Sequence, residues 1–164
     1  MSKLTTLLRG LAVASLTLLF SVAHAQPAPY GTPITLEAAT KLAVGATAEA
    51  RKNNWPVVIS IVDSAGQLVL LHRLDNTQYA SLDIATGKAK TAVNFRRTTK
   101  ALEDVIAGGG AGLRFLRVDG MTPLEGGIPI IVDGKIVGGV GVSGVTSQQD
   151  AQIAQAGINA LLGK

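Results

Sequence analysis

The chain has 164 residues, 15 basic and 11 acidic side chains, and no cysteine. Without cysteine it cannot form a disulfide, attach c-type heme, bind a metal through thiolates or carry out thiol catalysis. No basic stripe is interleaved with aromatic residues, so the composition predicts no nucleic-acid partner. Aromatic residues make up 4% of the chain, which predicts a core built from small and branched side chains.

The N-terminus has the order of parts that defines a secretory signal peptide. Lys3 and Arg9 precede an apolar run, Leu11 to Val22, which leads to the small-residue site Ala23-His24-Ala25. The run has about 12 residues, against the roughly 20 that a helix needs to span a bilayer, which favours cleavage over an uncleaved membrane anchor. We expect residues 1–25 to be removed, leaving a periplasmic or secreted protein with no membrane association.

The mature chain is expected to begin with an extended segment and a helix. Residues 26–33 carry three prolines and predict an extended lead-in outside the core. Thr35 is placed to cap a helix, and small apolar residues follow it at helical spacing. The expected buried face of this helix consists of Leu36, Ala39, Ala43, Ala46 and Ala50. The pair Asn53-Asn54, just before Trp55-Pro56, ends the helix.

Two strands and a second helix are expected next. Val57 to Val62 is an almost continuous β-branched run, typical of a strand covered on both faces. Asp63 to Gly66 has turn composition, and Leu68 to Leu74 returns as a second strand. A helix is then predicted from Ala80 to Phe95. One face of that helix carries Ile84, Ala85, Lys88, Ala92 and Phe95.

The segment after this helix is less regular. Thr98 or Thr99 is placed to cap a short helix that reaches Ile106. Four glycines within Ala107 to Gly112 predict a loop, and Arg114 to Gly127 follows no regular pattern.

The C-terminal part gives the clearest local pattern. Ile128 to Val132 and Lys135 to Val145 are apolar runs joined by Asp133-Gly134, which predicts a hairpin with a type I′ turn. Ser147 with Asp150 resembles a capping box, which predicts a last helix that ends at Leu162. Hairpin-joined strands between helices predict an α+β fold, with one antiparallel sheet flanked by helices in a single domain.

Two motifs match functional patterns in their residues but not in their predicted structural context. Residues 139–144 match the dinucleotide-binding pattern G-x-G-x-x-G, but that pattern works at a strand-to-helix turn, whereas these glycines alternate within a predicted strand. We interpret them as positions where a helix or another subunit approaches the strand closely. Ser143 is no nucleophile elbow, since Val145 stands where G-x-S-x-G needs glycine.

The mature chain contains one histidine, His72, late in the second predicted strand. By strand alternation it shares a face with Leu70 and Leu74, while Arg73 points the other way. Two interpretations stay open: a half-buried structural histidine bonded to backbone, or an axial ligand to heme iron, for which neutral imidazole is a common choice. The basic residues that could pair with heme propionates are Arg73, Lys88, Arg96 and Arg97.

Several motifs taken together resemble the GlcG/HbpS family. They are Ile61-Val62-Asp63-Ser64-Ala65-Gly66, His72-Arg73-Leu74-Asp75, Lys88-Ala89-Lys90-Thr91-Ala92, Gly126-Gly127-Ile128-Pro129-Ile130 with Asp133-Gly134, and Gly141-Val142-Ser143-Gly144. The resemblance runs from about Ile34 to Gly163, and it lies in the order and spacing of the motifs.

The resemblance implies a profilin-like α+β domain over residues 34–164, a homo-oligomer (octamers occur in the family), and binding of heme or a related tetrapyrrole. Exported HbpS-type members are proposed to degrade heme, and similar domains end some corrinoid adenosyltransferases. We expect a heme-binding protein that acts in sequestration, sensing or degradation. His72 is then the candidate iron ligand, with Met121 or Tyr79 as weaker alternatives. The side chains expected to hold propionates are Arg73, Arg96 and Arg97.

Two alternatives belong to other functional classes. Glu125, beside Gly126-Gly127 and with Arg117, is a candidate binding residue or general base for an enzyme that acts on a small organic acid. Its structural alternative is to bond backbone amides of the loop. The chain could also serve as an accessory scaffold for an exported oxidoreductase, which would need neither His72 nor Glu125.

Overall fold

The computed structural model describes residues 26–164, so the predicted signal peptide lies outside the described residues. The strands are β1 (Val58–Asp63), β2 (Leu68–Arg73), β3 (Gly127–Val132) and β4 (Lys135–Ser143). The helices are α1 (Leu36–Lys52), α2 (Ser81–Phe95), α3 (Thr99–Ala107) and α4 (Ser147–Leu162), with a 3₁₀ segment at Gly110–Arg117 between α3 and β3. Within these residues no helix combines the length and the apolar character needed to cross a membrane.

The four strands form one antiparallel sheet in the order β2-β1-β4-β3, with helices on both faces. Val140 and Val142 on β4 join the main hydrophobic core under α1 and α4. The alternating residues Gly139 and Gly141 face α2 instead. All strand pairs are antiparallel, so the α+β fold expected from the hairpins is confirmed.

The glycines of β4 let α2 lie unusually close to the sheet. A Cβ on Gly139 would stand 2.7 Å from the carbonyl oxygen of Ala89, and one on Gly141 would stand 2.1 Å from that of Ala85. Both distances are far below van der Waals contact, so only glycine fits. The interpretation of residues 139–144 as a close-approach strand is therefore correct, with α2 as the approaching element.

Replacing Gly141 with alanine should lower the free energy of unfolding by about 1–3 kcal/mol or more, because strand and helix must separate to admit the methyl group. The midpoint of urea unfolding measures the change. Gly108→Ala is the matched control, since its Cβ would meet nothing closer than 3.5 Å and its φ is −67°. A Gly141 variant as stable as that control would contradict the close packing.

Both predicted turns have the expected backbone. Asp133 and Gly134 have φ of 48° and 73°, as a type I′ turn requires. In the other turn, Gly66 has φ of 78° and the Asp63 carboxylate accepts hydrogen bonds from the backbone N–H groups of Ala65 and Gln67. These two turns set the register of the hairpins.

The proline-rich lead-in is attached to the sheet. The carbonyl of Pro29 accepts from the N–H of Ile136 at 2.8 Å, and the N–H of Gly31 donates to the carbonyl of Ile136 at 2.8 Å. The segment thus continues the β1 side of β4 beyond the end of β1.

Three local expectations need correction. Leu36 is 59% exposed, and Leu42 takes its place in the core, because Leu42 packs against α4 at Gly157. The last helix is capped by Thr146 with Gln149, one residue earlier than expected, since Asp150 turns inward.

Finally, Gly110–Arg117 forms 3₁₀ turns where a loop was expected, because positive φ at Gly109 and at Gly110 starts a new turn after α3.

Candidate functional site

His72 lies on β2, which is an edge strand of the sheet formed by residues 26–164 and pairs there with β1. Its ring is half-buried and faces α1, where Nδ1 lies 3.1 Å from Oγ1 of Thr47. Leu70 and Leu74 pack on the same side against the main core, as strand alternation predicts. The hydrogen bond goes to a helix hydroxyl and not to backbone, so the orientation of the ring depends on α1.

His72 borders a surface groove of about 610 Å³ between α1 and β2. We call it the apolar groove; its lining is Val44, Thr47, Ala48, Arg51, Leu71, His72, Arg73 and Leu74. A second groove of about 530 Å³, the polar groove, is lined by Ala50, Arg51, Asn54, Trp55, Pro56, Arg73, Leu74, Asp75 and Asn76. Three residues belong to both linings, so the two grooves adjoin.

The bond between Thr47 and His72 determines what the imidazole can do. Either atom can donate, depending on the tautomer of the ring. When Nδ1 carries the proton and donates to Oγ1, Nε2 presents a free lone pair, which is the arrangement in which a histidine binds a metal. Among the described residues, the side chain of His72 forms its hydrogen bond through Nδ1 alone. The ring is therefore held at one nitrogen and available at the other.

Arg73 lies next to His72 on β2 and is exposed. Its guanidinium carbon stands 4.7 Å from the centre of the Tyr79 ring, a cation–π distance. Tyr79 itself is 78% exposed at the start of α2. Arg73 is thus the expected propionate-binding residue that the structure places beside His72, at the border of both grooves.

Arg96 and Arg97 lie at the other end of the sheet. α2 starts at Ser81, whose hydroxyl bonds Ser143 beside the His72 end, and runs for 15 residues, about 22 Å. Arg96 follows its last turn, with its guanidinium carbon 5.8 Å from the centre of the Tyr30 ring. Within one chain, the structure does not bring these two arginines to His72.

Lys88 cannot serve as a surface partner for propionates, contrary to one of the sequence-based options. Its side chain is 2% exposed, and Nζ donates to Asp150 at 2.8 Å and to the carbonyl of Val142 at 2.9 Å. The pair links α2 to α4 across the end of β4. The signal in the sequence was a lysine on the apolar face of a helix, but its partner lies 62 residues away.

The buried position of Asp150 changes the pKa of its carboxyl. Burial raises the pKa of its carboxyl above the ordinary 3.8, against the opposing effects of the hydrogen bond and charge of Lys88. Backbone N–H groups of Val145 and Gly144 also favour the ionised form. Desolvation thus outweighs the attraction within the pair.

Met121 and Glu125 lie on the α2 face of the sheet, opposite to the α1 face that His72 occupies. The backbone N–H of Thr122, next to Met121, donates to Thr91 on α2, and that of Glu125 donates to the Glu103 carboxylate on α3 at 2.6 Å. Both side chains are half-buried. Within one chain they form no common site with His72.

Two residues at the groove escaped the sequence analysis. Thr47 and Arg51 lie on the flank of α1 that also carries Val44 and Ala48, at spacings of three and four residues. The buried face predicted for this helix was its alanine face. A second face with the same spacing was the available signal.

The profile of the family described as "Haem degrading protein HbpS-like" matches residues 34–159. The chain belongs to the HbpS-like family. Protein GlcG of Escherichia coli strain K12 is 43% identical over 95 residues, which are 58% of this chain and 69% of GlcG. The family expected from the motifs is therefore confirmed.

Two solved structures have the same fold as this HbpS-like chain. The crystal structure of HbpS matches with a TM-score of 0.74 at 35% identity, over 82% of this chain and 93% of that one. The crystal structure of a PduOC:heme complex matches with a TM-score of 0.72 at 33% identity, over 79% of this chain and 95% of that one. One structural relative of the HbpS-like chain is thus a heme complex.

Proposed function

We propose that this protein binds heme in the apolar groove, with His72 as the iron ligand. The observation that carries the proposal is the half-buried imidazole whose Nδ1 is held by Thr47 at the wall of that groove. The membership of the HbpS-like family and the heme complex of PduOC support heme as the ligand.

The residues present fit this cofactor. Val44, Ala48 and Leu71 give the groove an aliphatic wall suited to the apolar face of a porphyrin, and its volume of about 610 Å³ is within the range of small-molecule sites. One imidazole lies in the lining, and guanidinium groups lie at its border. Bound heme would supply an iron centre that accepts an imidazole ligand.

The chain's own residues then have simple roles. We assign to Thr47 the role of accepting the Nδ1 proton of His72, which leaves the lone pair of the ring on Nε2; its Oγ1 lies 3.1 Å from Nδ1. The aliphatic wall excludes water from one face of the ligand. A lining of this kind holds a ligand, so we propose sequestration as the role, in preference to sensing or degradation.

Export and self-assembly belong to the same proposal. The N-terminal pattern of residues 1–25 supports export to the periplasm or medium, with cleavage near Ala25. Exposed apolar side chains around the 3₁₀ segment support a homo-oligomer; Leu113 is 49% and Leu116 63% exposed.

Titration of the purified mature chain with hemin, followed at the Soret band, tests the function directly. We expect saturation at one heme or fewer per chain. Thr47→Val should weaken hemin binding by about 10- to 100-fold, since it removes the group that orients the imidazole, and Thr47→Ser should retain it.

The matched control is Thr40→Val, on the same helix. Its hydroxyl is exposed and bonds only the carbonyl of Leu36, so its loss should change hemin affinity less than twofold. No saturable hemin binding by the native chain would overturn the proposed function. Equal binding by the Thr47 and Thr40 variants would remove Thr47 from the site.

A further inference from the structure

The two grooves divide the site into parts of different chemistry. Both linings include Arg51 and Arg73; the apolar groove adds aliphatic side chains and the imidazole, whereas the polar groove adds one aspartate and two asparagines. The polar groove therefore carries a net formal charge of +1 and several N–H donors. A ligand that covers both grooves needs an apolar body and an anionic edge.

Arg51 and Arg73 belong to the linings of both grooves. Arg51 lies in the last turn of α1, and Arg73 is the last residue of β2. The ion pairs of the described residues are Lys52–Glu49, Lys88–Asp150 and Lys100–Asp104, so no carboxylate of residues 26–164 engages either arginine. The two guanidinium groups keep their paired N–H donors available for an external carboxylate.

Tyr79 strengthens this arrangement on the Arg73 side. The aromatic ring lies against the guanidinium, with 4.7 Å between its centre and Cζ. A cation–π contact of this kind uses none of the hydrogen-bond acceptors that a carboxylate would supply, so the N–H donors of Arg73 are not consumed by it. Asp75 lies in the lining of the polar groove without forming an ion pair, so it opposes an anionic ligand without blocking either arginine.

We infer that Arg51 and Arg73 form a carboxylate clamp that selects tetrapyrroles with two free carboxylates over those with esterified or amidated edges. The inference rests on the proposed function and adds a determinant of ligand specificity. Arg51 was not among the residues expected to bind heme. Each guanidinium forms charge-assisted, paired hydrogen bonds with a carboxylate, which a neutral ester or amide cannot accept with equal strength.

The test compares hemin with hemin dimethyl ester in the same detergent-containing buffer, by Soret titration. The native chain should bind hemin about tenfold or more tightly than the ester. Arg51→Gln and Arg73→Gln should each weaken hemin binding about three- to tenfold, and the double variant should bind hemin and the ester equally. Asp75→Asn should act in the opposite direction and tighten hemin binding about twofold.

Arg114→Gln is the matched control, since Arg114 is exposed on the 3₁₀ segment and its Nε donates to the carbonyl of Ala111. It should bind hemin and the ester as the native chain does. Iron-free protoporphyrin IX, followed by its fluorescence, separates the clamp from the iron ligand. Its affinity should fall in both arginine variants and stay unchanged in His72→Ala.

The outcomes distinguish the clamp from the function itself. Equal affinity of the native chain for hemin and its ester, or a double variant that keeps the preference for hemin, would overturn the clamp while heme binding stands. Absence of binding for hemin and for protoporphyrin IX would overturn both. Circular dichroism of each variant verifies that the exposed substitutions leave the fold intact.

Discussion

His72→Ala should weaken hemin binding by about 100-fold or more and shift the Soret band of any residual complex. Loss of a group that only orients a metal ligand costs about 10- to 100-fold, so loss of the ligand itself must cost at least as much. The substitution is mild for the fold, because the ring is half-buried on an edge strand and its hydrogen bond goes to Thr47 alone. Soret titration beside the native chain measures the effect.

Added imidazole provides the control for this variant. If His72 acts as ligand, free imidazole should occupy the space that the side chain leaves and restore a band close to that of the native complex. A variant that binds hemin with native affinity and spectrum would refute His72 as the ligand. The same titration on Met121→Leu would then test the alternative on the opposite face of the sheet.

Exchanging Lys88 for methionine should lower the free energy of unfolding by about 3–5 kcal/mol, because a buried carboxylate is left without its cation. The two side chains are 2% and 3% exposed, so water cannot take the place of the lost partner. Asp150→Asn should destabilise less than Lys88→Met, because the amide oxygen can still accept from the ammonium and no buried carboxylate has to be desolvated. Chemical denaturation of the three proteins gives these values.

The double variant Lys88→Met with Asp150→Leu should recover most of the loss, because desolvation of a buried pair often exceeds the attraction within it. Lys100→Met removes an exposed pair with Asp104 and should leave the midpoint almost unchanged. A Lys88 variant as stable as the Lys100 variant would contradict the buried pair as a stabilising contact.

The raised pKa of Asp150 makes the free energy of unfolding depend on pH. Burial raises the pKa of this carboxyl above 3.8, so the folded chain binds the proton more tightly than the unfolded chain does. The stabilising contribution of this proton is complete below about pH 3.8 and is lost as the pH rises through the pKa in the folded state. In Asp150→Asn, this part of the pH dependence of the free energy of unfolding should be absent.

Local patterns in the sequence were sufficient for most of the fold. Asp133-Gly134 between apolar runs defined a hairpin, and glycines alternating on one strand defined the face that α2 approaches. Each of these features depends on neighbours within a few residues. The errors at Leu36 and at the cap of α4 arose where tertiary packing chose between two adjacent possibilities.

The candidate site was less accessible to such reasoning, because its parts come from separate elements. His72 could be singled out as the one histidine of the mature chain, but its partner Thr47 lies 25 residues earlier on a helix. Arginines that looked equivalent in sequence, Arg73 and Arg96, lie at opposite ends of the sheet. Only the packing of α1 against β2 distinguishes them.

The position of His72 on an edge strand has a dynamic consequence. Among the described residues, β1 has hydrogen-bonded neighbours on both sides, whereas β2 has one. The outward amide groups of β2 therefore exchange with solvent through openings of low free energy. The proposed site therefore lies on one of the two edge strands, which are less protected than the central strands β1 and β4. An occupant that spans α1 and β2 makes such openings more costly in proportion to its affinity, which couples ligand occupancy to the resistance of this edge against local unfolding and proteolysis.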